Sequence, residues 1–324
     1  MHHPGNTDSR IALITNPNSG ANKTQIQKIN RLVDRQPHIR HYITRSADEI
    51  PEVLETLHED GTDTLAINGG DGTTAAVFTS LLQLRLFDQL PNIVLLPGGT
   101  TNMNVGDIGI RGKLTKGIQR LCDPDFRHRA ERITRPVLSV QQGAGLPTIN
   151  GMFFGAGAII QGIEFCHDSV HSRGVGNEIG PGIAMLRTIW GIIKDDPLYA
   201  NPVTMKIAYS SQADPVVCET LLLLCSTLER LLLGMRPYWG KEDGAIYSTL
   251  IKTQPDQFLR SLPFLLTGKP TQRLKQSDTY HSKKTQSIEI HMNSRYTLDG
   301  EIYATDDSTG PITLSATEPL SFLR

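Results

Sequence analysis

Strand-like apolar runs alternate with helical repeats through the first hundred residues or so, and this order restricts the fold more than any other feature. Ile11–Thr15 is apolar, rich in β-branched residues, and runs into the turn Asn16-Pro-Asn-Ser-Gly20. Ile26, Ile29 and Val33 then recur at spacings of three and four, which predicts a helix. Ile39–Thr44 reads as a second strand, and Asp48 with Pro51 opens a second helix whose apolar face is Val53, Leu54 and Leu57. Leu65–Asn68, a helix over Thr73–Leu86, and the strand Ile93–Leu96 continue the alternation. Such alternation with short links predicts a parallel sheet covered on both faces, with ligands bound beyond the carboxyl ends of its strands.

The pattern changes near residue 135. A last helix around Gly112–Cys122 and the polar stretch Asp123–Arg132 give way to predicted strands. These are Val137–Gln142, Ile149–Ile160, Val203–Tyr209, Thr220–Thr227, Ala245–Lys252, Ser287–Met292, Tyr296–Tyr303 and Ile312–Ser315. Helical patterns interrupt them at Ile179–Ile193 and Gln257–Leu266. With 324 residues there is material for two domains. The expectation is an α/β N-terminal domain with a parallel sheet over 9–135, with 305–324 a candidate addition to it. A mainly antiparallel β-sandwich C-terminal domain over 136–304 would contribute the substrate site.

Charge nearly cancels, 32 Lys+Arg against 33 Asp+Glu, so no basic footprint for nucleic acid is expected. Cys122, Cys166, Cys218 and Cys225 share no metal-ligand spacing. The N-terminus lacks a secretory pattern, and the longest uncharged stretch, Pro136–Ile163, is broken by prolines, glycines and glutamines. The reading is therefore a cytoplasmic protein with no span.

Three motifs follow strands of the first domain. Asn68-Gly-Gly-Asp-Gly-Thr-Thr74 joins a strand to a helix, and its glycines let backbone N–H groups approach an anion at the helix N-terminus. Asp71 inside an anion loop calls for a cation between carboxylate and phosphate, and Mg²⁺ is the natural choice. Leu96-Pro-Gly-Gly-Thr-Thr-Asn102 occupies the equivalent place after the next strand, and Ser19 and Gly20 after the first strand could meet a terminal phosphate. No Gly-Lys-Ser/Thr follows any of them, so this is not a P-loop. Leu298-Asp-Gly-Glu-Ile302 offers two carboxylates for general-base work on a hydroxyl, while Asp-Gly is equally a hairpin turn. Lys241-Glu-Asp-Gly244 is an exposed loop or a cation site.

Taken in order, NPxSG, GGDGT, PxGTxN and DGE resemble the diacylglycerol kinase and sphingosine kinase-like family, in particular soluble bacterial lipid kinases of this length. The resemblance implies a nucleotide domain, a β-rich domain and an active site in the cleft between them, with ATP and Mg²⁺ as cofactors. It places Asn16, Ser19, Gly20, Thr44, Gly69, Gly70, Asp71, Gly72, Thr73, Thr74, Gly99, Thr100 and Asn102 around the nucleotide. Asp71 would lie by the catalytic Mg²⁺, Asp243 by a structural one, and either Asp299 or Glu301 would be the base. The chain departs from the family at Thr101, where a glycine is usual, at Met103, and at Glu242.

The implied activity is transfer of the γ-phosphoryl group of ATP to a hydroxyl of a lipid such as diacylglycerol. NAD kinase, which shares the GGDGT loop, and a non-catalytic nucleotide-binding regulator are the alternatives. Partners are a lipid substrate, transient contact with a membrane surface and no nucleic acid; a homodimer is among the assemblies left open. An apolar stripe of Ile183, Leu186, Trp190 and Ile193 is a candidate for the membrane contact or for the core. Replacing Asp71 or Asp299 by Ala is expected to abolish turnover with the fold intact.

Overall fold

The computed structural model describes residues 10–164, 187–191, 194, 196, 201–212, 214–306 and 308–324. They fall into two compact units, one ending at Arg135 and joined by Leu320–Arg324, the other between Pro136 and Pro319. The chain thus returns to the first unit at Leu320, and the strand at Ile312–Ala316 stays in the second.

In the first unit β1 (Ile11–Thr15), β2 (Ile39–Ile43), β3 (Thr64–Gly69) and β4 (Asn92–Pro97) are parallel, in the order β2-β1-β3-β4. The C-terminal strand Leu320–Leu323 lies beside β4, and β5 (Arg132–Arg135) closes the edge antiparallel to it. Strands β1 and β3 are buried throughout, as a sheet covered on both faces requires. Helices α1 (Asn22–Val33), α2 (Ile50–Glu59) and α3 (Asp71–Leu84) fill the crossovers, followed by the shorter α4 (Met103–Ile108), α5 (Leu114–Leu121) and α6 (Phe126–Arg129). Ile29 and Val33 of α1 and Ile118 and Leu121 of α5 share one core with Leu13 and Leu96 of the sheet.

The second unit is an antiparallel sheet of eleven strands among the described residues. They are β6 (Leu138–Gln142), β7 (Ile149–Gly151), β8 (Phe153–Gly157), β9 (Val203–Tyr209), β10 (Val216–Ser226) and β11 (Ile246–Lys252). β12 (Tyr280–Thr285), β13 (Ser287–His291), β14 (Ser294–Leu298), β15 (Glu301–Thr305) and β16 (Ile312–Ala316) complete it. Its order is β15-β14-β8-β10-β9-β13-β16-β6-β7, with β11 and β12 branching from β10. Leu138, Phe154, Ile207, Leu223, Ile288, Tyr296 and Leu314, from strands spread along that order, meet in a single core, and where a β-sandwich was expected the strands form one continuous hydrogen-bonded sheet. Between β11 and β12 stand α7 (Phe258–Thr267) and α8 (Gln272–Gln276).

Two sequence expectations are revised here. Ile149–Ile160 is two strands and the start of a helix, and Tyr296–Tyr303 is a hairpin whose tip is Asp299-Gly300. Of the stripe Ile183, Leu186, Trp190 and Ile193, only Trp190 falls among the described residues; it is exposed, with the Lys194 ammonium 5.2 Å from its ring centroid. Cys166 also lies outside them, and Cys122, Cys218 and Cys225 are free thiols.

Candidate active site

Parallel β1, β3 and β4 bring the three predicted loops to one edge of the sheet, and the loops are knitted together there. Asn22, fully buried at the first position of α1, donates from Nδ2 to the carbonyls of Asn16 (2.8 Å) and Asn68 (3.0 Å). Asn16 Nδ2 donates to Thr73 Oγ1 (3.0 Å), and the Gly70 N–H to Ser19 Oγ (3.2 Å). Gly20 and Gly99 are glycines because backbones touch. A Cβ on Gly20 would stand 2.8 Å from the Gly99 carbonyl carbon, and one on Gly99 would stand 2.5 Å from the Gly70 Cα.

Asp71 is the strap between the second and third loops. One carboxylate oxygen accepts the N–H of Met103 and the other that of Asn104, each at 3.0 Å. Dense packing around the carboxyl strips it of water and raises its pKa, and those two N–H groups pull back in the other direction. So the fold itself already uses both oxygens, and each retains room for a further partner. Asn102, in the left-handed region at φ 49°, closes its own loop by exchanging hydrogen bonds with Gly99, 2.8 Å in each direction.

The N-terminus of α3 stays open. Its N-cap is Gly70, and no side chain caps it, so first-turn N–H groups are offered to an acceptor from outside. Thr74 Oγ1 bonds the Gly70 carbonyl (3.2 Å), and buried Thr44 uses its N–H on the Thr15 carbonyl (3.0 Å). Gly69, Gly72 and Thr100 line the same edge. Asn22 Oδ1, Asn68 Oδ1 and both side-chain polar atoms of Asn104 are buried without a protein partner. Unpaired polar groups gathered at one loop cluster mark a site built for something besides stability. Asn22 and Asn104 were invisible as site residues in the sequence, since an Asn inside a helix carries no motif.

In the second unit Asp299 and Gly300 form the hairpin tip joining β14 to β15, with φ of 50° and 95°. Both values fit a type I′ turn, for which Asp-Gly is a preferred pair. The Asp299 side chain is 5% exposed and accepts the N–H groups of Met152 and Phe153, both at 2.9 Å, while its own N–H bonds the Phe153 carbonyl. Glu301 is exposed. Tyr303, two residues on and on the same strand face, stacks on Tyr296, which stacks on Phe154, at centroid separations of 5.3 and 5.1 Å. Burial, then the charges of Glu301 and Asp299, raise the Tyr303 pKa, so the phenol stays protonated beside these carboxylates.

Asp243 lies in the loop before β11 and is exposed; its neighbour Glu242 accepts the Lys284 N–H (3.1 Å). Among the described residues no three His, Cys, Asp or Glu side chains cluster as a metal cage. Asp71 is the carboxylate at the loop cluster that could help hold a divalent cation beside a phosphate. No helix of the described residues is long and apolar enough to cross a membrane.

Comparison with known proteins matches residues 10–130 to the family described as diacylglycerol kinase catalytic domain. Curated proteins give no match. A diacylglycerol kinase structure from Bacillus anthracis str. Sterne superposes with a TM-score of 0.61 at 15% identity, covering 97% of this chain and 96% of that one. Two structures of candidate diacylglycerol kinases from the same organism give TM-scores of 0.64 and 0.65 at 16% identity, each covering 97% of both chains. At these identities the likeness concerns the fold. Residues 10–130 thus match the diacylglycerol kinase catalytic-domain model, and the fold is similar to those Bacillus anthracis structures over 97% of this chain.

Proposed function

We propose that the protein is an ATP-dependent lipid kinase that transfers the γ-phosphoryl group to a hydroxyl of a lipid such as diacylglycerol. The observation that carries this reading is the loop cluster of the first unit. Glycine loops whose backbones touch, so closely that a Cβ on Gly20 or Gly99 would stand 2.8 or 2.5 Å from its neighbour, lie beside the uncapped end of α3, where free N–H groups suit a phosphate. The family match over the same residues supports it.

In this reading the open N–H groups of α3 and the Gly20 and Gly99 backbones hold the triphosphate. Mg²⁺, when bound at Asp71, neutralises phosphate charge. Glu301 is the base. As the acceptor oxygen bonds to the γ-phosphorus, its proton passes to the Glu301 carboxylate, and the bond from that phosphorus to the β–γ bridging oxygen breaks, leaving ADP. Asp299 is given the positioning role because it is 5% exposed and holds the Met152 and Phe153 N–H groups in place, whereas Glu301 is exposed.

The test is incubation with γ-labelled ATP and, in parallel, diacylglycerol, a total lipid extract and NAD. Label in a lipid product supports the proposal. Label in NAD, or nucleotide binding with no transfer to any acceptor, overturns it in favour of an NAD kinase or a regulator.

A further inference from the structure

The hairpin of α7 and α8 carries an unusual surface. From Phe258 to Ser277 the chain has four cations, Arg260, Lys269, Arg273 and Lys275, and no acidic residue; all four are exposed. The inner face is anchored: Leu265 and Leu274 are buried in a core with Leu221, Ile251 and Tyr280, and Phe258 packs against it. The outer face leaves apolar side chains in water, with Leu259 59% and Phe264 39% exposed.

A second element joins this face. The Arg236 N–H bonds the Leu266 carbonyl (2.9 Å), which ties the chain just after the turn Leu232–Gly234 to the end of α7. At its tip Leu233 is 70% exposed and sits at φ 56°, a conformation that favours glycine or asparagine. A leucine there, left in water, is placed for an apolar contact outside the chain. Between α7 and α8 lies a cavity of about 180 Å³, lined by Arg260, Arg273, Ser261, Thr271, Phe264 and the acidic Asp256.

We propose that this face, the α7–α8 pair with the Leu233 tip, docks on an anionic lipid bilayer. Exposed apolar side chains on a segment with four exposed cations, flanked by Asp256 and Asp278, match the layering of such a surface, where acyl chains lie just beneath negatively charged headgroups. The separated positions of Leu233 on a turn and Leu259 on a helix suit insertion between lipids. The guanidinium groups of Arg260 and Arg273 at the cavity suit a headgroup phosphate.

The experiment is sedimentation of the full chain with vesicles, without ATP or Mg²⁺, so that its failure leaves the phosphoryl-transfer reading untouched. Wild type is expected to pellet with phosphatidylcholine–phosphatidylglycerol vesicles and to stay in solution with phosphatidylcholine alone. Leu233→Asn with Leu259→Asn, and separately Arg260→Glu with Lys275→Glu, should each weaken pelleting by about tenfold. Leu233→Asn alone keeps the left-handed turn and secures a folded variant, which circular dichroism checks. Val217→Asn, at an exposed apolar position on β10, should pellet like wild type. Wild type left in solution with both vesicle types overturns the proposal, as do folded variants that pellet like wild type. So does loss of pelleting in Trp190→Asp while the α7–α8 variants still bind.

Discussion

The two carboxylates of the β14–β15 hairpin should separate cleanly under mutation. Asp299→Asn keeps a side chain that tolerates φ 50°, but an amide can accept only one of the two N–H groups now bound. Its NH₂ faces the other N–H, donor against donor, in a site that is 5% exposed. A hydrogen bond to a charged group contributes about 1.5–3 kcal/mol, and stranding a buried donor costs about 1–3 kcal/mol. These overlap, so a loss of about 2–4 kcal/mol is expected. For a unit of this size each kcal/mol lowers Tm by about 2–4 °C, which gives a drop of roughly 5–15 °C. Glu301→Gln, at an exposed position, should leave stability within about 0.5 kcal/mol. It should lower kcat by about 10²–10⁴-fold, the usual worth of a general base. Calorimetry gives the melts, and initial rates measured below both of them give kcat. If Glu301→Gln keeps its kcat while folded Asp299→Asn loses it, the roles are reversed and the assignment is wrong.

Other substitutions probe the loop cluster. Gly99→Ala should destabilise the first unit by about 1–3 kcal/mol and weaken binding of a fluorescent ATP analogue, because its Cβ meets the Gly70 backbone. Gly106→Ala, a helical position with nothing within 4 Å, should instead stabilise by about 0.5–1 kcal/mol. Asp71 has a raised pKa, so its contribution to stability is full below 3.8 and declines as pH rises through the folded value; urea melts across acid pH should lose that decline in Asp71→Asn. His41 has the opposite sign. Burial lowers its pKa, against the charge of Asp34, and its Nε2 lies 2.9 Å from Thr15 Oγ1. Its contribution is present above 6.5 and lost as pH falls through the folded pKa, and His41→Gln should flatten urea melts over that range.

Much of the first unit is legible because its strands are continuous apolar runs and its helices amphipathic. β12, Tyr-His-Ser-Lys-Lys-Thr, was not, since it has only partly buried residues between its two buried ends and shows no alternation. β5, Arg-Ile-Thr-Arg, is an edge strand with two exposed positions, and it is defined only by the C-terminal strand that arrives 185 residues later in its register. Pairings at that range leave no local trace. The candidate site was legible as motifs but not as contacts. The glycines, Asp71 and Asp299 could all be singled out from the sequence; that Asp71 joins two loops and that Asp299 holds β8 could not.

That difference changes what loss of activity in an alanine variant means. Asp71→Ala and Asp299→Ala look from the sequence like tests of chemistry on an intact fold. Each in fact strands two backbone N–H groups, Met103 and Asn104 in one case and Met152 and Phe153 in the other. A dead alanine variant at either position is therefore explained by a displaced loop as readily as by a missing reactive group. A carboxylate beside glycine in a tight turn is the side chain best able to satisfy neighbouring N–H groups that the turn leaves unpaired. The same acid thus shapes the backbone before it meets a substrate. Glu301, exposed and with no such duty in the fold, is the position at which lost turnover with an unchanged melt speaks to chemistry alone.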